Sequence, residues 1–193
     1  MILSAGLWVC AFFVLSCRQT AKPIKIQAYD NMPEKILISA CLLGEPVRYN
    51  GSGLSLESTL LSEWKTAGIL VPLCPEVASG FQTPRPPAEI KAGQQGIDVL
   101  EGNGSIYENS GHDVTEQFRL GADLAVKTAI EAGCRFALLT DGSPSCGSTF
   151  IYSGHHDGQT RSGMGVVTAA LRHHGVEVFA QHQIKDLAEQ LRC

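Results

Sequence analysis

The chain has 193 residues, of which 44% are hydrophobic and 18% are charged, as in globular domains that bury a sizeable core. Its formal net charge is −4 and no basic stretch offers a track for phosphates, which argues against a nucleic-acid-binding protein. Chemistry on a small molecule is therefore favoured.

The first seventeen residues, "MILSAGLWVCAFFVLSC", contain no charged side chain. The apolar run at residues 7–15 is too short to span a bilayer, and the basic start of an export signal is missing. We interpret residues 1–31 as an N-terminal extension outside the fold and Met32 as the functional start. Residues 32–193 then form one cytoplasmic domain that does not enter a membrane. The alternative is a membrane-anchored lipoprotein, because "VLSC" ends on Cys17 like a lipoprotein cleavage site.

The rest of the chain alternates between strand and helix patterns. Continuous apolar runs rich in β-branched residues predict buried strands at residues 35–40, 69–73, 135–140 and 176–180. Helical spacing of apolar residues predicts helices at residues 55–68, 113–133, 165–175 and 184–192. This alternation predicts an α/β fold, Rossmann-like or flavodoxin-like, with a mainly parallel sheet flanked by helices. The order of the strands stays open.

Two local patterns refine this prediction. The segment "GIDVLEGNG" at residues 96–104 is typical of a strand or half of a hairpin, followed by a Gly/Asn turn. Asp113 and Glu116 have the spacing of a capping box at the start of the long helix, and Gly133 is the expected stop signal.

The seven cysteines do not form a disulfide or zinc-knuckle pattern, because their number is odd and no C-x-x-C occurs. Cys41, Cys74 and Cys146 instead each lie at or just beyond the carboxyl end of a predicted strand. In an open parallel sheet those ends meet at the crevice where ligands bind, so we expect the three thiols to meet in space. Cys134 precedes a strand at the opposite edge, and we expect a structural role for it.

Three thiols at one sheet edge allow more than one interpretation. Free cysteines are often simply buried, and strands collect them. A catalytic zinc with an open position is a second possibility, although no histidine has an obvious claim to the fourth place. A [4Fe–4S] cluster held by three cysteines is a third, and it leaves one iron free to bind a substrate atom.

Four motifs occur in order and resemble the DUF523 family, which includes the thiouracil desulfidases: "SACLLGEPVRYNG", "VPLCPEVASGFQTPRPPAEI", "DGSPSCGSTFIYSG" and "GMGVVTAALRHHGVEVF". The resemblance extends from about residue 36 to residue 179. It implies an enzyme whose cofactor, a [4Fe–4S] cluster, is held by Cys41, Cys74 and Cys146. It also implies a small thiolated substrate similar to 2-thiouracil, which is converted to the oxo compound and sulfide without net redox change.

The same motifs contain candidate catalytic residues. Glu76 lies two residues after Cys74, is fixed by the neighbouring Pro75, and matches the family's acidic residue. It is the best candidate for taking a proton from water and returning it to the departing group. Ser143 and Ser145 precede the third cysteine and can orient substrate or water, or serve as turn and cap groups.

Arg48, Tyr49 and Asn50 are expected to shape the substrate end of the crevice, together with Arg85 and Glu89 of the proline loop. Of these, Arg48, Tyr49 and Arg85 are expected to bind substrate. An arginine can donate hydrogen bonds to the carbonyl of a nucleobase or stack on its ring. Arg85 has an alternative role, in which it braces the proline-rich loop by pairing with Glu89.

The chain departs from the family pattern at two places. Phe81-Gln82 replaces an expected Leu-Pro, and His156 replaces an aromatic residue such as Phe. These differences leave the identity of the thiolated compound open. The alternative function is a non-catalytic protein that binds metal or sulfide in sulfur handling, whereas a cysteine hydrolase lacks a convincing Cys–His pair.

Overall fold

The structure, a computed structural model, describes residues 34–192. Its strands in chain order are β1 (Lys35–Ser39), β2 (Leu70–Leu73), β3 (Ala88–Ile90), β4 (Ile106–Glu108), β5 (Cys134–Leu139), β6 (Phe150–Tyr152), β7 (Thr160–Ser162) and β8 (Glu177–Ala180). Its α-helices are α1 (Thr59–Thr66), α2 (Pro75–Ala78), α3 (Gly96–Leu100), α4 (Thr115–Ala132), α5 (Val166–His173) and α6 (Ile184–Gln190). Two 3₁₀ turns cover Ala40–Leu43 and Gln181–Gln183. The predicted extension at residues 1–31, the start at Met32 and the lipoprotein alternative at Cys17 lie outside the described residues.

A four-stranded parallel sheet in the order β2-β1-β5-β8 forms the centre of the fold. The predicted α/β class with a parallel sheet and flanking helices is therefore confirmed. From β1 the chain proceeds to β2 on one side and then returns to β5 on the other. The strand order reverses between β1 and β5, and in such sheets ligands bind outside the carboxyl ends of the strands at that point.

The two faces of the sheet are covered by different helices. Along β1, Ile36 and Ile38 point to the face that packs with Leu61 and Trp64 of α1 and with α6. The intervening Leu37 points to the opposite face, which packs with α3, α4 and α5. Because successive strand residues alternate between faces, a continuous apolar run is what a strand buried on both faces requires.

The prediction of a strand within residues 96–104 is wrong, because its first residues form α3. The backbone N–H of Gln95 donates to Asp98 Oδ2 at 2.7 Å, which stabilises a helical turn at this point. Val99 is fully buried in the core on the side of α4 and α5. A run this short does not distinguish a strand from one helical turn by its pattern of apolar residues.

The predicted capping box of α4 is also wrong. Asp113 Oδ1 accepts hydrogen bonds from the Thr115 N–H at 2.9 Å and from the Thr115 hydroxyl at 2.5 Å, so the helix begins two residues later. Glu116 pairs with Arg119 of the next turn. The predicted stop at Gly133 is confirmed, because this residue adopts a left-handed φ of 70°.

Two short antiparallel pairs, β3-β4 and β6-β7, complete the described fold. Each of their strands has three residues, which is too short for an alternating pattern to appear in the sequence. Among residues 34–192, no helix is long and apolar enough to cross a bilayer.

Candidate active site

A cavity of about 460 Å³ opens at the carboxyl edge of the central sheet, beyond the ends of β1, β2 and β5. Eight of the nine site residues predicted from the sequence line it: Cys41, Arg48, Tyr49, Cys74, Glu76, Arg85, Ser143 and Cys146. The ninth, Ser145, is 1% exposed and lies behind the lining while contacting Glu76. The loops that follow three different strands therefore converge on one site.

Each cysteine is positioned by the segment that follows its strand. Cys41 lies in the 3₁₀ turn directly after β1, and Cys74 immediately precedes α2, whose first residue is Pro75. Proline suits the first helical position because its missing N–H would have no partner there. Cys146 lies in the loop between β5 and β6. Cys134, by contrast, starts β5 at the other end of the sheet, as predicted for a structural residue.

The three thiols of the cavity are free and largely buried. Cys41 Sγ lies 3.1 Å from the Thr140 hydroxyl, and the Cys74 thiol donates to the Val47 carbonyl at 3.8 Å. Burial raises the pKa of all three thiols, and it raises that of Cys146 well above the usual value. Cys41 and Cys74 add a smaller contribution to the rise in the pKa of Cys146.

The donor set at this edge fits an iron–sulfur cluster. Three cysteines supply soft sulfur ligands, and the fourth described cysteine lies at the far end of the sheet. A single zinc ion would hold each of its sulfur ligands at a Zn–S distance of about 2.3 Å. In a cluster, each cysteine sulfur binds a different iron. Among residues 34–192, no group of three His, Cys, Asp or Glu side chains has the arrangement of a single-ion site.

Glu76 is held from two sides within the cavity. Its Oε2 accepts a hydrogen bond from Arg85 Nε at 2.8 Å and forms an ion pair with Arg85 Nη2, also at 2.8 Å. The side chains of Glu76 and Arg85 are only 15% and 6% exposed. Its Oε1 accepts from the hydroxyls of Ser145 at 3.1 Å and Ser143 at 3.4 Å. The predicted alternative in which Arg85 pairs with Glu89 is wrong, because the proline loop turns its guanidinium towards Glu76.

Ser143 has the turn-capping role, one of the two roles considered for it. Its hydroxyl oxygen accepts hydrogen bonds from the N–H groups of Ser145 at 3.1 Å and Cys146 at 3.2 Å, as a turn-capping side chain does. Its own O–H remains for Glu76 or for a molecule in the cavity. Ser145 contacts Glu76 from the buried side.

The two arginines of the site differ in how many partners they have. The guanidinium of Arg85 also donates to the carbonyls of Val47 and Gln82, so its donors are engaged within the protein. Arg48 lines the cavity close enough to Cys41 for its charge to lower the pKa of that thiol. Among the described residues Arg48 makes no side-chain hydrogen bond, so its donors remain available to a bound molecule.

Asp141 supports the third cysteine and was missed by sequence reasoning. Its Oδ1 accepts from the N–H groups of Ser148 at 2.6 Å and Thr149 at 2.9 Å, and its Oδ2 from the Thr149 hydroxyl at 2.5 Å. Burial raises the pKa of Asp141, but these hydrogen bonds outweigh burial and hold it below the usual value. The signal for it was an acidic residue directly after a buried strand, in a Gly/Ser-rich loop.

The start of α5 packs directly on the loop that carries Cys146. The N–H groups of Val166 and Val167 donate to the carbonyls of residues 144 and 145, both at 2.9 Å. The buried Thr168 hydroxyl donates to the Cys146 carbonyl at 2.9 Å. A Cβ atom at Gly165 would overlap the carbonyl oxygen of residue 145, so only glycine permits this approach.

Comparison with known proteins gives a family match and two similar proteins. The model of the 2-thiouracil desulfurase family matches residues 36–183. Among solved structures, the [4Fe-4S]-dependent thiouracil desulfidase TudS is 46% identical, with a TM-score of 0.75 over 82% of this chain and 98% of that chain. The uncharacterized protein YbbK of Bacillus subtilis (strain 168) is 42% identical over 154 residues, covering 79% of this chain and 99% of YbbK.

Proposed function

Since the chain belongs to the 2-thiouracil desulfurase family, we propose that it is a [4Fe–4S]-dependent desulfidase acting on a thiolated nucleobase. The expected resemblance to the DUF523 family is confirmed by this match and by the likeness to TudS. The observation that carries the proposal is the convergence of three free thiols and the Glu76–Arg85 pair on one cavity. The reaction adds water to the thiocarbonyl carbon and releases hydrogen sulfide, so no electrons are gained or lost.

Cys41, Cys74 and Cys146 are the residues that would hold the cluster. Their thiols lose protons as they become ligands, so the raised pKa values describe the metal-free protein. When bound, the cluster supplies an iron without a protein ligand, which acts as a Lewis acid on the thiocarbonyl sulfur. The cavity that the three thiols line has room for a small substrate.

Glu76 moves the protons in this proposal. A carboxylate within hydrogen-bond reach of the attacking water accepts a proton from it and later donates that proton to the departing sulfur. The Oε2 atom is fixed by Arg85, which leaves Oε1 as the oxygen that exchanges protons. Arg85 therefore serves as a positioning residue for Glu76 rather than as a free substrate ligand.

The two serines differ in the roles we propose for them. Ser143 lines the cavity and contacts Glu76 Oε1, so its hydroxyl can pass a proton between water and the carboxylate. Ser145 is almost fully buried and donates to the same oxygen, which fixes the orientation of Glu76.

Arg48 and Tyr49 form the substrate-binding end of the site in this proposal. The guanidinium of Arg48 can donate two hydrogen bonds to a carbonyl oxygen of the base. Tyr49 is 41% exposed and offers an aromatic wall at the cavity entrance. We place the reaction in the cytoplasm, because free thiols and an oxygen-sensitive cluster require reducing surroundings.

The alternative function, a protein that stores metal or sulfide, has no use for a proton-handling group. The Glu76–Arg85 pair beside the thiols therefore favours an enzyme. Anaerobically reconstituted protein should release sulfide from 2-thiouracil and form one uracil for each sulfide. Cluster-loaded protein that retains added sulfide but forms no uracil from 2-thiouracil would favour storage instead.

A further inference from the structure

Glu89 is a buried acidic residue that the proposed chemistry leaves without a role. It lies in β3, is 7% exposed, and lines the same cavity as the three thiols. Burying a carboxylate is costly unless hydrogen bonds or charges compensate it, so its surroundings indicate what it does.

The two carboxylate oxygens of Glu89 are satisfied unequally. Oε2 accepts hydrogen bonds from the N–H groups of Gly154 at 2.7 Å and His156 at 3.2 Å. Oε1 has only His156 Nδ1 near it, at 3.6 Å, which is beyond hydrogen-bond distance. Every fully buried side-chain nitrogen or oxygen within residues 34–192 has a hydrogen-bond partner. Oε1 is therefore not fully buried, and it belongs to a residue that lines the cavity.

The segment that holds Glu89 has little freedom to move. Gly154 has a φ of 93°, and a Cβ atom there would overlap the backbone of residues 90 and 92. His156 also adopts a left-handed φ, 54°, which is uncommon for a residue other than glycine. The unsatisfied oxygen is thus held in a fixed direction, so binding a donor there costs little conformational entropy.

A thiolated nucleobase presents the matching donor. The nitrogen next to its thiocarbonyl carbon carries an N–H, and a carboxylate is a strong acceptor for such a group. Arg48, on another loop of the same cavity, is a hydrogen-bond donor and so suits a carbonyl oxygen. Together they offer an acceptor and donors to a ring that carries an N–H and a C=O.

We propose that Glu89 is a specificity-determining residue whose Oε1 accepts a hydrogen bond from a ring N–H of the thiolated substrate. This inference rests on the proposed desulfidase function and adds a recognition contact to it. His156, through its N–H on Oε2 and its ring beside Oε1, is the residue that positions this carboxylate.

The test compares the reconstituted wild type with the Glu89→Gln variant. Glutamine retains an oxygen for the two backbone N–H groups but turns an N–H donor towards the cavity. We expect the KM for 2-thiouracil to rise about tenfold or more with kcat near that of the wild type, because a charged hydrogen bond is lost in binding. Calorimetry should show the same weakening for uracil, which carries the same N–H groups. Glu177→Gln, on an exposed residue of β8, is the matched control.

A second measurement changes the substrate. The wild type is assayed with 1-methyl-2-thiouracil and with 3-methyl-2-thiouracil, each of which lacks one ring N–H. One of the two should lose about tenfold or more in kcat/KM relative to 2-thiouracil, and Glu89→Gln should show a much smaller preference.

The outcomes separate the two proposals. A wild type that desulfurises 2-thiouracil and both methylated compounds equally well would overturn the role of Glu89 and leave the desulfidase standing. An unchanged KM in a folded Glu89→Gln variant would do the same. A cluster-loaded wild type that releases no sulfide from any of these compounds would overturn both.

Discussion

The two carboxylate oxygens of Glu76 have different kinds of partner. Arg85 fixes one oxygen with a charged pair, while two serine hydroxyls reach the other. A residue with only a structural role would not need to face a cavity lined by three thiols. The strength of the pair and the proposed proton-handling role are tested by different measurements, the first by stability and the second by rate.

We expect Glu76→Gln to lower the rate of sulfide release about 10²- to 10⁴-fold, because an amide cannot take a proton from water. The iron content of the variant should equal that of the wild type, since the cysteines are unchanged. Sulfide assays on reconstituted protein check this, with Glu63→Gln on an exposed position of α1 as the control. A Glu76→Gln variant as fast as the wild type would remove Glu76 from the mechanism.

Arg85→Met should lower the free energy of unfolding by about 3 kcal/mol, because it leaves the carboxylate of Glu76 buried without its cation. Arg119→Met is the matched control, since its partner Glu116 is 84% exposed and the loss there should stay below about 1 kcal/mol. Urea denaturation of both variants measures the difference. Equal losses would mean that the pair at the cavity contributes no more than a surface pair.

At the scale of elements, the sequence predicted the long or strongly apolar segments and missed the short ones. The strands of the central sheet were predictable because burial on both faces requires unbroken apolar runs, as in β1 and β5. The three-residue strands β3 and β6 carry no such signal. The turn of α3 depends on one side-chain hydrogen bond and on packing against α5, which a local pattern does not contain.

The site also has features that the local sequence pattern contains and features that depend on tertiary contacts. The cysteines could be assigned to one edge because each follows a strand of one parallel sheet. The partner of Arg85 could not, because Glu76 and Glu89 are both near it in sequence and the path of the proline loop decides between them. The strand order was also open, since short-range patterns do not encode which strands pair.

Gly165→Ala tests the contact between α5 and the Cys146 loop. Gly165 has an ordinary φ of −76°, so the added methyl group acts by pushing on the carbonyls of residues 144 and 145. We expect a loss of about 1–3 kcal/mol in stability and a lower iron content per chain. Gly68→Ala, where φ is 69° and no atom lies within 4 Å of the new carbon, should cost about 1 kcal/mol with unchanged iron content. If both variants bound iron equally, this contact would not position the cysteine.

Asp141→Asn tests how the loop between β5 and β6 is held. The pKa of Asp141 is lower in the folded protein than in the unfolded chain, so its ionised form stabilises the fold above about pH 4. That contribution disappears as the pH falls through the folded pKa. We expect a penalty of about 1–3 kcal/mol at pH 7 that shrinks once the pH falls below the range in which a free aspartate titrates. Denaturation across this pH range measures it, and a penalty independent of pH would refute the ionic role.

At the scale of the whole molecule, the parallel sheet brings distant parts of the chain to one place. Cys41, Cys74 and Cys146 are far apart in sequence, yet each follows a neighbouring strand of the order β2-β1-β5. The cavity they line lies where that order reverses, which is where open α/β sheets bind their ligands. Helices on both faces leave this edge open while they bury the rest of the strands.

The most direct test counts iron in three proteins after anaerobic reconstitution: the wild type, Cys74→Ser and Cys134→Ala. Burial raises the pKa of Cys134 to about 11, and its position at the start of β5 makes it the matched control. We predict about four irons per chain in the wild type and in Cys134→Ala, and a loss of most of that iron, together with sulfide release from 2-thiouracil, in Cys74→Ser. A Cys74→Ser variant that keeps its iron and its activity would contradict the account.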